Sequence, residues 1–341
     1  MSTRRAFLDT APGERRGVVA LDGRPERLLI ERDGAEEGPR LGARYRVRVR
    51  ELSGDRRLAF LDLGGGEAGV LPLGKGAPPP LGAALEAEVV AEPRGGKAAV
   101  LRMAGPESGA PALLRPGPDL RARLAAFAGD GRIETGEAAR VLADEAEDAI
   151  LAVRHEAGEG VTLWIEPTRA VVAVDVDWSG PGGVSRGRAV QANRRALRET
   201  ARLLRLKGLA GAVVIDLLGF PGGDEAIRAE AREAFAPDGP GVQVLPVSRL
   251  GLLQVARPHR ERPVLELLCD PDGRPGARTV AQRLVRALER EGRADPGARL
   301  LAVCAPEVEA ELRPLLPLLG LRFGAAAELG WPRDRTDIRA P

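Results

Sequence analysis

Asp175 and Asp216 are the residues of this 341-residue chain whose type and position are best suited to chemistry. Each directly follows a short apolar run, residues 171–174 in one case and 212–215 in the other. β-Branched runs of this length are typical of buried strands. A carboxylate at the end of such a strand lies at the sheet edge where open α/β sheets form their sites. The alternative for each aspartate is a helix N-cap or a turn residue.

The segment between the two runs must position the aspartates. Residues 193–207 are rich in arginine, and their small and apolar side chains have helical spacing, at Ala196, Leu197, Thr200, Ala201 and Leu204. Gly208 follows this pattern and is expected to end the helix. The stretch therefore predicts a strand–helix–strand unit.

The charge composition favours a nucleic-acid partner only through its arginines. The 51 lysine and arginine side chains nearly balance the 49 aspartates and glutamates, so net charge predicts no polyanionic partner. Only Lys75, Lys97 and Lys207 are lysines. Arginine suits bidentate contacts with phosphate. A GC-rich genome, which also raises alanine, glycine and proline, explains the arginine content equally well.

Several classes of protein are not expected. No apolar run approaches membrane-spanning length, and the first residues lack the apolar core of a secretory signal, so we predict a cytoplasmic protein with no membrane partner. Cys269 and Cys304 are too few for a disulfide framework or a four-thiolate zinc site. His155 and His259 have no partner at ligand spacing, so neither zinc binding nor histidine general-base chemistry is expected.

Short strands separated by glycine-rich turns are predicted between residues 41 and 101. Tyr45, Val47 and Val49 alternate with arginines, which is the period of a half-buried strand. Such a series predicts a small β-barrel. Residues 104–122 are rich in proline and glycine and are typical of a linker. Helices are predicted at residues 120–127 and 135–151, the second with Thr135 as its N-cap.

These motifs together resemble the ribonuclease E/G family. Residues 48–64 and 69–73 resemble the OB-fold RNA-binding domain of that family, and residues 92–97 resemble its closing hairpin. Residues 160–177 resemble the hairpin that leads into the family's first catalytic aspartate. Residues 193–207 resemble its signature helix, and residues 247–254 resemble the motif that closes its catalytic subdomain.

The resemblance implies an α/β (α+β) fold with a mixed-sheet nuclease core made of RNase H-like and DNase I-like subdomains. An OB-fold β-barrel is inserted into this core, and a small C-terminal α/β domain follows it. The predicted boundaries are 1–36 for the N-terminal strands of the core, 37–103 for the barrel, 104–122 for the linker, 123–158 for a helical remnant of the RNase H-like part, 159–265 for the catalytic DNase I-like subdomain and 266–341 for the C-terminal domain.

The resemblance also implies that Asp175 and Asp216 are catalytic metal ligands. Two carboxylates about 4 Å apart repel by roughly 4 kcal/mol at an effective dielectric near 20, so both stay ionised only with a cation between them. Oxygen ligands and a phosphodiester substrate indicate Mg²⁺, which would orient a water for attack. Asp177, where the family usually has asparagine, is a possible third ligand. Asp177 and Asn193 are also expected to support the site.

RNA contacts are predicted for Phe60, Lys97, Arg205 and Arg249. In the family two aromatic residues of the barrel stack on RNA bases. Phe60 matches one of them, and Val70 occupies the position of the other. Stacking is worth roughly 1 to 3 kcal/mol per base, so the loss of one aromatic is expected to weaken RNA binding. The alternative for Phe60 is a residue of the barrel core.

The chain departs from the family in three regions. The part that senses the 5′ end of RNA is far shorter, so we expect no stimulation of cleavage by that end. Gly219, in the apolar segment 217–220, replaces an acidic residue. Cys269 is the only cysteine of a paired-cysteine zinc motif, with Asp272 near the place of the second. We therefore predict that any oligomer does not form through a zinc link.

The predicted function is that of a metal-dependent endoribonuclease, a hydrolase that cleaves single-stranded RNA in ribosomal RNA processing or messenger RNA decay. The second hypothesis is an RNA-binding relative with weak or no catalysis. The third is a metal-dependent phosphodiesterase with another substrate.

Overall fold

The computed structural model describes residues 3–34, 38–129, 131–219 and 224–341. Residues 36 and 37, at the first predicted domain boundary, and Phe220, at the end of the apolar segment, lie outside these ranges. The described residues form a mixed α/β structure with a closed β-barrel and three further sheets. No described helix is long and apolar enough to cross a membrane.

The chain begins with an antiparallel meander of three strands, β1 (Arg4–Ala11), β2 (Glu14–Leu21) and β3 (Arg24–Arg32). Tight turns at Pro12-Gly13 and Asp22-Gly23 join these strands: Gly13, Asp22 and Gly23 have the positive φ angles that such connections require.

The barrel follows the meander. Its strands are β4 (Arg44–Leu52), β5 (Leu58–Gly64), β6 (Glu67–Pro72), β7 (Ala84–Ala91), β8 (Ala99–Pro106) and β9 (Ala112–Arg115). Five strands close in the order β4-β5-β6-β8-β7, because β7 pairs with β4. The predicted barrel is therefore confirmed, and Val47 and Val49 lie in its core. The predicted linker is partly wrong, since it contains β9, which pairs with β4.

The chain then returns to the first sheet through α1 (Leu120–Phe127), β10 (Ile133–Glu134) and α2 (Glu137–Leu151). Both helices occupy the predicted residues, although the N-cap of α2 is Gly136 and not Thr135. Strand β10 pairs in parallel with β1, so the barrel is an insertion in this sheet. Helix α1 packs on one face of the sheet, where Gly17 of β2 leaves room for Leu124.

The second sheet carries the two aspartates. Its elements are β11 (Arg154–Gly158), β12 (Val161–Pro167), β13 (Val172–Trp178), α3 (Arg186–Lys207), β14 (Gly211–Asp216), α4 (Asp224–Phe235), β15 (Gln243–Val244), β16 (Leu252–Arg257) and α5 (Leu265–Leu268). The six strands have the order β11-β12-β13-β14-β16-β15. Gly208 ends α3 in a left-handed conformation, which confirms the predicted helix end.

Helices α2 and α3 lie between the two sheets. The apolar side chains of α3 belong to one core that reaches Val18 and Leu28 in the first sheet and Val174 and Ile215 in the second. Lys207, at the end of α3, donates hydrogen bonds to the carbonyls of Ala149, Ile150 and Ala152 at the end of α2. Both faces of α3 are thus engaged.

A small C-terminal domain completes the fold. It comprises α6 (Ala277–Ala294), β17 (Leu300–Cys304), α7 (Pro306–Leu312), α8 (Leu316–Leu319), β18 (Phe323–Ala327) and β19 (Asp337–Arg339). Cys304 is fully buried in its core, and burial raises the pKa of this thiol to about 11. Cys269, ahead of α6, is half-buried and free, and Asp272 accepts a hydrogen bond from the backbone N–H of Arg274.

Candidate active site

Asp175 and Asp216 occupy paired positions on neighbouring parallel strands. Strands β13 and β14 are in register from Val172 opposite Val213 to Asp175 opposite Asp216. Paired residues of adjacent strands point to the same face, and the strands of a sheet lie about 4.8 Å apart. Both aspartate side chains are exposed. The structure therefore brings the two carboxylates side by side on one face.

The strand that carries Asp175 is longer than predicted. Asp216 is the last residue of β14, as expected, but β13 continues beyond Asp175 to Trp178 because its pairing with β12 extends to that residue. Asp175 is instead the last residue of β13 that pairs with β14. The parallel pairing, and not the strand itself, ends at the carboxylates.

Alternation along the strands separates an apolar face from a polar face. Val174 and Val176 of β13 and Ile215 of β14 are buried against the helices. Asp175 and Asp177 point the other way, together with Asp216, and are exposed. The carboxylates thus lie on the face of the sheet opposite the buried apolar side chains.

The surroundings of Asp175 disfavour a negative charge on its side chain. Partial burial raises the pKa of Asp175, and the neighbouring charges of Asp216 and Asp177 raise it further. A cation bound between Asp175 and Asp216 would remove this penalty. Asp177 is held locally, since one of its carboxylate oxygens accepts a hydrogen bond of 2.7 Å from the backbone N–H of Trp178.

Asn193 supports the loop that follows Asp216. Its side chain is completely buried in α3. Its amide nitrogen donates to the carbonyl of Leu218, and its amide oxygen accepts from the N–H of Leu218, both at 3.0 Å. Gly219 comes next with a φ of +46°. The side chain of Asn193 therefore fixes the backbone two residues beyond the second aspartate.

The donor set suits a hard divalent cation. Asp175 and Asp216 offer only oxygen ligands, and Mg²⁺ binds through one or two carboxylates while keeping several waters. Within the described ranges, no three His, Cys, Asp or Glu side chains lie close enough together to hold a metal ion. The structure therefore supplies a pair of carboxylates, and a role for Asp177 as a third ligand stays a prediction.

The prediction that Arg205 contacts RNA is wrong. Its guanidinium is buried between the two sheets, where it pairs with Glu26 at 2.9 Å and Asp238 at 3.2 Å. Arg205 is buried because α3 lies between two sheets. The face of α3 that points away from the second sheet is covered by the first sheet and is not exposed to solvent. RNA has no access to this side chain.

Phe60 lies on the outside of the barrel. Its side chain is 39% exposed and its cross-strand partner is Val70. Phe60 is therefore not the core residue of the alternative hypothesis. The two positions at which the family resemblance implies aromatic side chains face outward as neighbours, and only one of them is aromatic.

Lys97 and Arg249 are both exposed. Lys97 belongs to the barrel and Arg249 to the turn before β16, and the two lie near opposite ends of this strand. The hairpin that carries Lys97 docks beside the end of β16: the N–H of Glu92 donates to the carbonyl of Arg260 at 2.8 Å. Because β16 is antiparallel to β14, this end is five residues from Asp216, or roughly 17 Å. Arg249 lies in the turn before β16, whose first residue, Leu252, pairs with Asp216.

Trp164 is a residue near the site that the sequence motifs do not predict. It lies on β12 and pairs with Asp175. A signal was present, because Thr162, Trp164 and Glu166 alternate with the apolar residues of this strand. The alternation predicts that Trp164 points away from the core. It does not reveal which residue of β13 lies opposite.

The fold and the site define an α/β protein with a closed five-stranded barrel and paired carboxylates on an open sheet face. Residues 138–260, about a third of the chain, match the model of the Ribonuclease E/G family. The matched region contains both aspartates, Asn193 and Arg249.

Three curated relatives are similar over the same part of the molecule. Ribonuclease E/G-like protein, chloroplastic, of Arabidopsis thaliana is 29% identical over 136 residues, which cover 38% of this chain and 13% of the relative. Ribonuclease E of Haemophilus influenzae is 34% identical over 102 residues, 29% of this chain and 11% of the relative. Ribonuclease E of Escherichia coli is 33% identical over 102 residues, 29% of this chain and 10% of the relative. The chain thus spans about a tenth of the length of these relatives.

Proposed function

We propose that this chain is an endoribonuclease that cleaves single-stranded RNA by magnesium-assisted phosphodiester hydrolysis. One observation carries the proposal: Asp175 and Asp216 are exposed and paired in register on one face of the sheet, inside the region that matches the Ribonuclease E/G family. The names of the relatives, ribonuclease E and ribonuclease E/G-like, support the same activity. Processing of ribosomal RNA or decay of messenger RNA in the cytoplasm is the corresponding role.

Asp175 and Asp216 would hold the Mg²⁺. When bound, the ion would orient a water for attack and neutralise charge on the phosphoryl oxygens. Both carboxylates must be ionised to bind it, which is costly for Asp175 because its pKa is raised. Asn193 keeps the loop after Asp216 in place through its two hydrogen bonds to Leu218. Arg249, exposed at the same end of the sheet, would contact a phosphate of the RNA.

The barrel would bind RNA away from the carboxylates. We assign it to the OB-fold, since five strands close and the third and fifth of them, β6 and β8, pair in parallel. Phe60 would stack on one base. The first sheet would be the RNase H-like part of the core, and the sheet with the aspartates the DNase I-like part.

Cleavage of a fluorescein-labelled, unstructured RNA tests the proposal. We expect wild-type protein to cleave it with Mg²⁺ and not with EDTA, and Asp175→Asn and Asp216→Asn to reduce the rate at least about 100-fold, because metal catalysis is worth several kcal/mol. Glu166→Gln, which removes a carboxylate from the same strand face as Trp164, is the matched control and should cleave normally. Cleavage that survives both aspartate substitutions overturns the site.

A second candidate function is RNA binding without catalysis. It is favoured by the lack, within the described residues, of any group of three His, Cys, Asp or Glu side chains that could hold a metal ion, and by Val70 opposite Phe60. The two candidates differ in the same assay: tight binding of the labelled RNA with no cleavage in Mg²⁺ supports the second. Binding should then weaken with salt at a slope of about −0.7 per neutralised phosphate.

A further inference from the structure

We propose that Trp164 is a nucleobase-binding residue that stacks on an unpaired base beside the scissile phosphodiester. The inference rests on the proposed function and adds a substrate contact to it. In the antiparallel pairing of β12 with β13, Trp164 lies opposite Asp175, which in turn lies opposite Asp216. Three side chains on three adjacent strands therefore form one row on the open face. At about 4.8 Å per strand, the indole borders the carboxylate pair directly.

Trp164 is not a core residue. Its side chain is 40% exposed, whereas Leu163 and Ile165 on the other face of β12 are 0% and 1% exposed. Its neighbours along the strand on the open face are Thr162 and Glu166, which are polar. An exposed indole offers an apolar face and an N–H donor, and this combination makes tryptophan frequent at binding interfaces.

The position of Trp164 beside two carboxylates favours contact with the base of a nucleotide over contact with its phosphate. Asp175 and Asp216 repel phosphate unless a cation lies between them, so an uncharged planar group is what the adjoining indole can accept. Every base has a π-face, and stacking on an aromatic side chain therefore recognises RNA without requiring a particular sequence. Both faces of a base inside a duplex are already stacked on neighbours. Trp164 would therefore favour unpaired nucleotides.

The next strand adds a cation to this row of side chains, which is suited to binding an RNA phosphate. Arg154 of β11 lies opposite Trp164, is half-exposed and is paired with Glu156 on its own strand. An RNA strand crossing the sheet along this row would meet carboxylates, then an aromatic ring, then a cation. Two strand spacings, about 10 Å, separate Arg154 from Asp175, so the guanidinium is positioned for a phosphate next to the scissile one.

Tryptophan fluorescence tests the contact directly. The chain has three tryptophans, so Trp178→Phe combined with Trp331→Phe leaves Trp164 as the only tryptophan. In EDTA, an unstructured RNA decamer should quench this emission and a duplex of the same sequence should not. A series of decamers with one abasic nucleotide at successive positions should contain one position that abolishes the quench. A single-tryptophan protein that cleaves RNA without any quench overturns the proposal.

Substitution provides the second test. Trp164→Leu should raise Kd in EDTA and KM in Mg²⁺ about 5- to 150-fold, the range that corresponds to the loss of one stacked base. Trp164→Phe should retain most of the affinity, and Trp331→Leu in the C-terminal region is the matched control. Unchanged Kd and KM in Trp164→Leu, with cleavage intact, overturn the stacking role and leave the nuclease in place. Wild-type protein that neither binds nor cleaves RNA overturns the proposed function and the stacking role together.

Discussion

The side chain of Asn193 is completely buried and hydrogen-bonds both the N–H and the C=O of Leu218, two residues beyond Asp216. The main chain after the second aspartate is therefore held by a helix that also packs under the sheet. This contact makes the position of Asp216 dependent on α3 and leads to the first prediction.

Asn193→Ala should lower both stability and cleavage rate. It leaves two backbone groups of Leu218 without their partner, at a cost of about 1 to 3 kcal/mol in the free energy of unfolding. The Mg²⁺ concentration for half-maximal rate should rise because Asp216 is less well positioned. Urea denaturation and a Mg²⁺ titration measure the two effects, with Gln191→Ala on the exposed side of α3 as control. A loss of stability with an unchanged Mg²⁺ requirement would limit Asn193 to a structural role.

The cleavage rate should fall on the acid side at a higher pH than an ordinary aspartate would cause. Burial, then Asp216 and Asp177, raise the pKa of Asp175, and a protonated carboxyl cannot bind the metal. Asp177→Asn removes one of the neighbouring charges, so the acid limb of its pH–rate profile should move to lower pH. Glu166→Gln serves as the control. An acid limb that stays in place in Asp177→Asn would contradict the assignment of this limb to Asp175.

Changes at Phe60 and Val70 should have opposite effects on RNA affinity. Phe60→Ala removes the exposed aromatic and should raise Kd about 5- to 150-fold. Val70→Phe places a second ring opposite Phe60 across β5 and β6 and should lower Kd. Fluorescence anisotropy with single-stranded RNA measures both. Met103→Ala, which shortens an exposed side chain of β8, is the control, and equal loss in this variant would indicate nonspecific damage to the barrel.

Substitutions at Arg205 and Arg249 should have different effects, the first on protein stability and the second on RNA binding. Arg205→Met leaves Glu26 and Asp238 short of a buried partner and should cost about 3 to 5 kcal/mol of unfolding free energy. Arg249→Ala, in an exposed turn, should leave stability unchanged, weaken RNA binding and reduce the salt slope by about 0.7. Denaturation and salt titrations measure these changes. A stable Arg205→Met protein with weaker RNA binding would restore the RNA-binding role of Arg205.

His155 should make the protein less stable in mild acid. Burial, followed by the charge of Lys207, lowers the pKa of His155 to about 4, against about 6.5 in an unfolded chain. The unfolded state therefore binds a proton first as the pH falls, and stability present above pH 6.5 is lost between about 6.5 and 4. The loss attributable to this shift is about 3 kcal/mol. His155→Leu should reduce the slope of stability against pH in this window; an unchanged slope would exclude His155 as its source.

Local pattern was enough to predict much of the framework. The residues of α1 and α2 and the end of α3 at Gly208 follow from helical spacing and glycine chemistry. The barrel follows from alternation and glycine-rich turns. These features depend on neighbours along the chain, so the sequence carries them directly.

The errors arise where distant segments meet. The composition of residues 104–122 predicts a linker and gives no sign of β9, because the pairing partner of β9, strand β4, lies far away in the chain. The apolar run predicts that β13 ends at Asp175, whereas pairing with β12 extends the strand to Trp178. Helical spacing predicts an accessible Arg205, because spacing alone cannot show that a second sheet covers the outer side of α3.

By itself, the sequence determined that Asp175 and Asp216 follow two apolar strands and that a helix joins those strands. Only the tertiary structure decided that the two aspartates stand opposite each other, and that Trp164 stands opposite the first. The physical reason is strand register: alternation determines which face a side chain takes, while the partner across the sheet depends on hydrogen bonds between strands and on the helix that connects them.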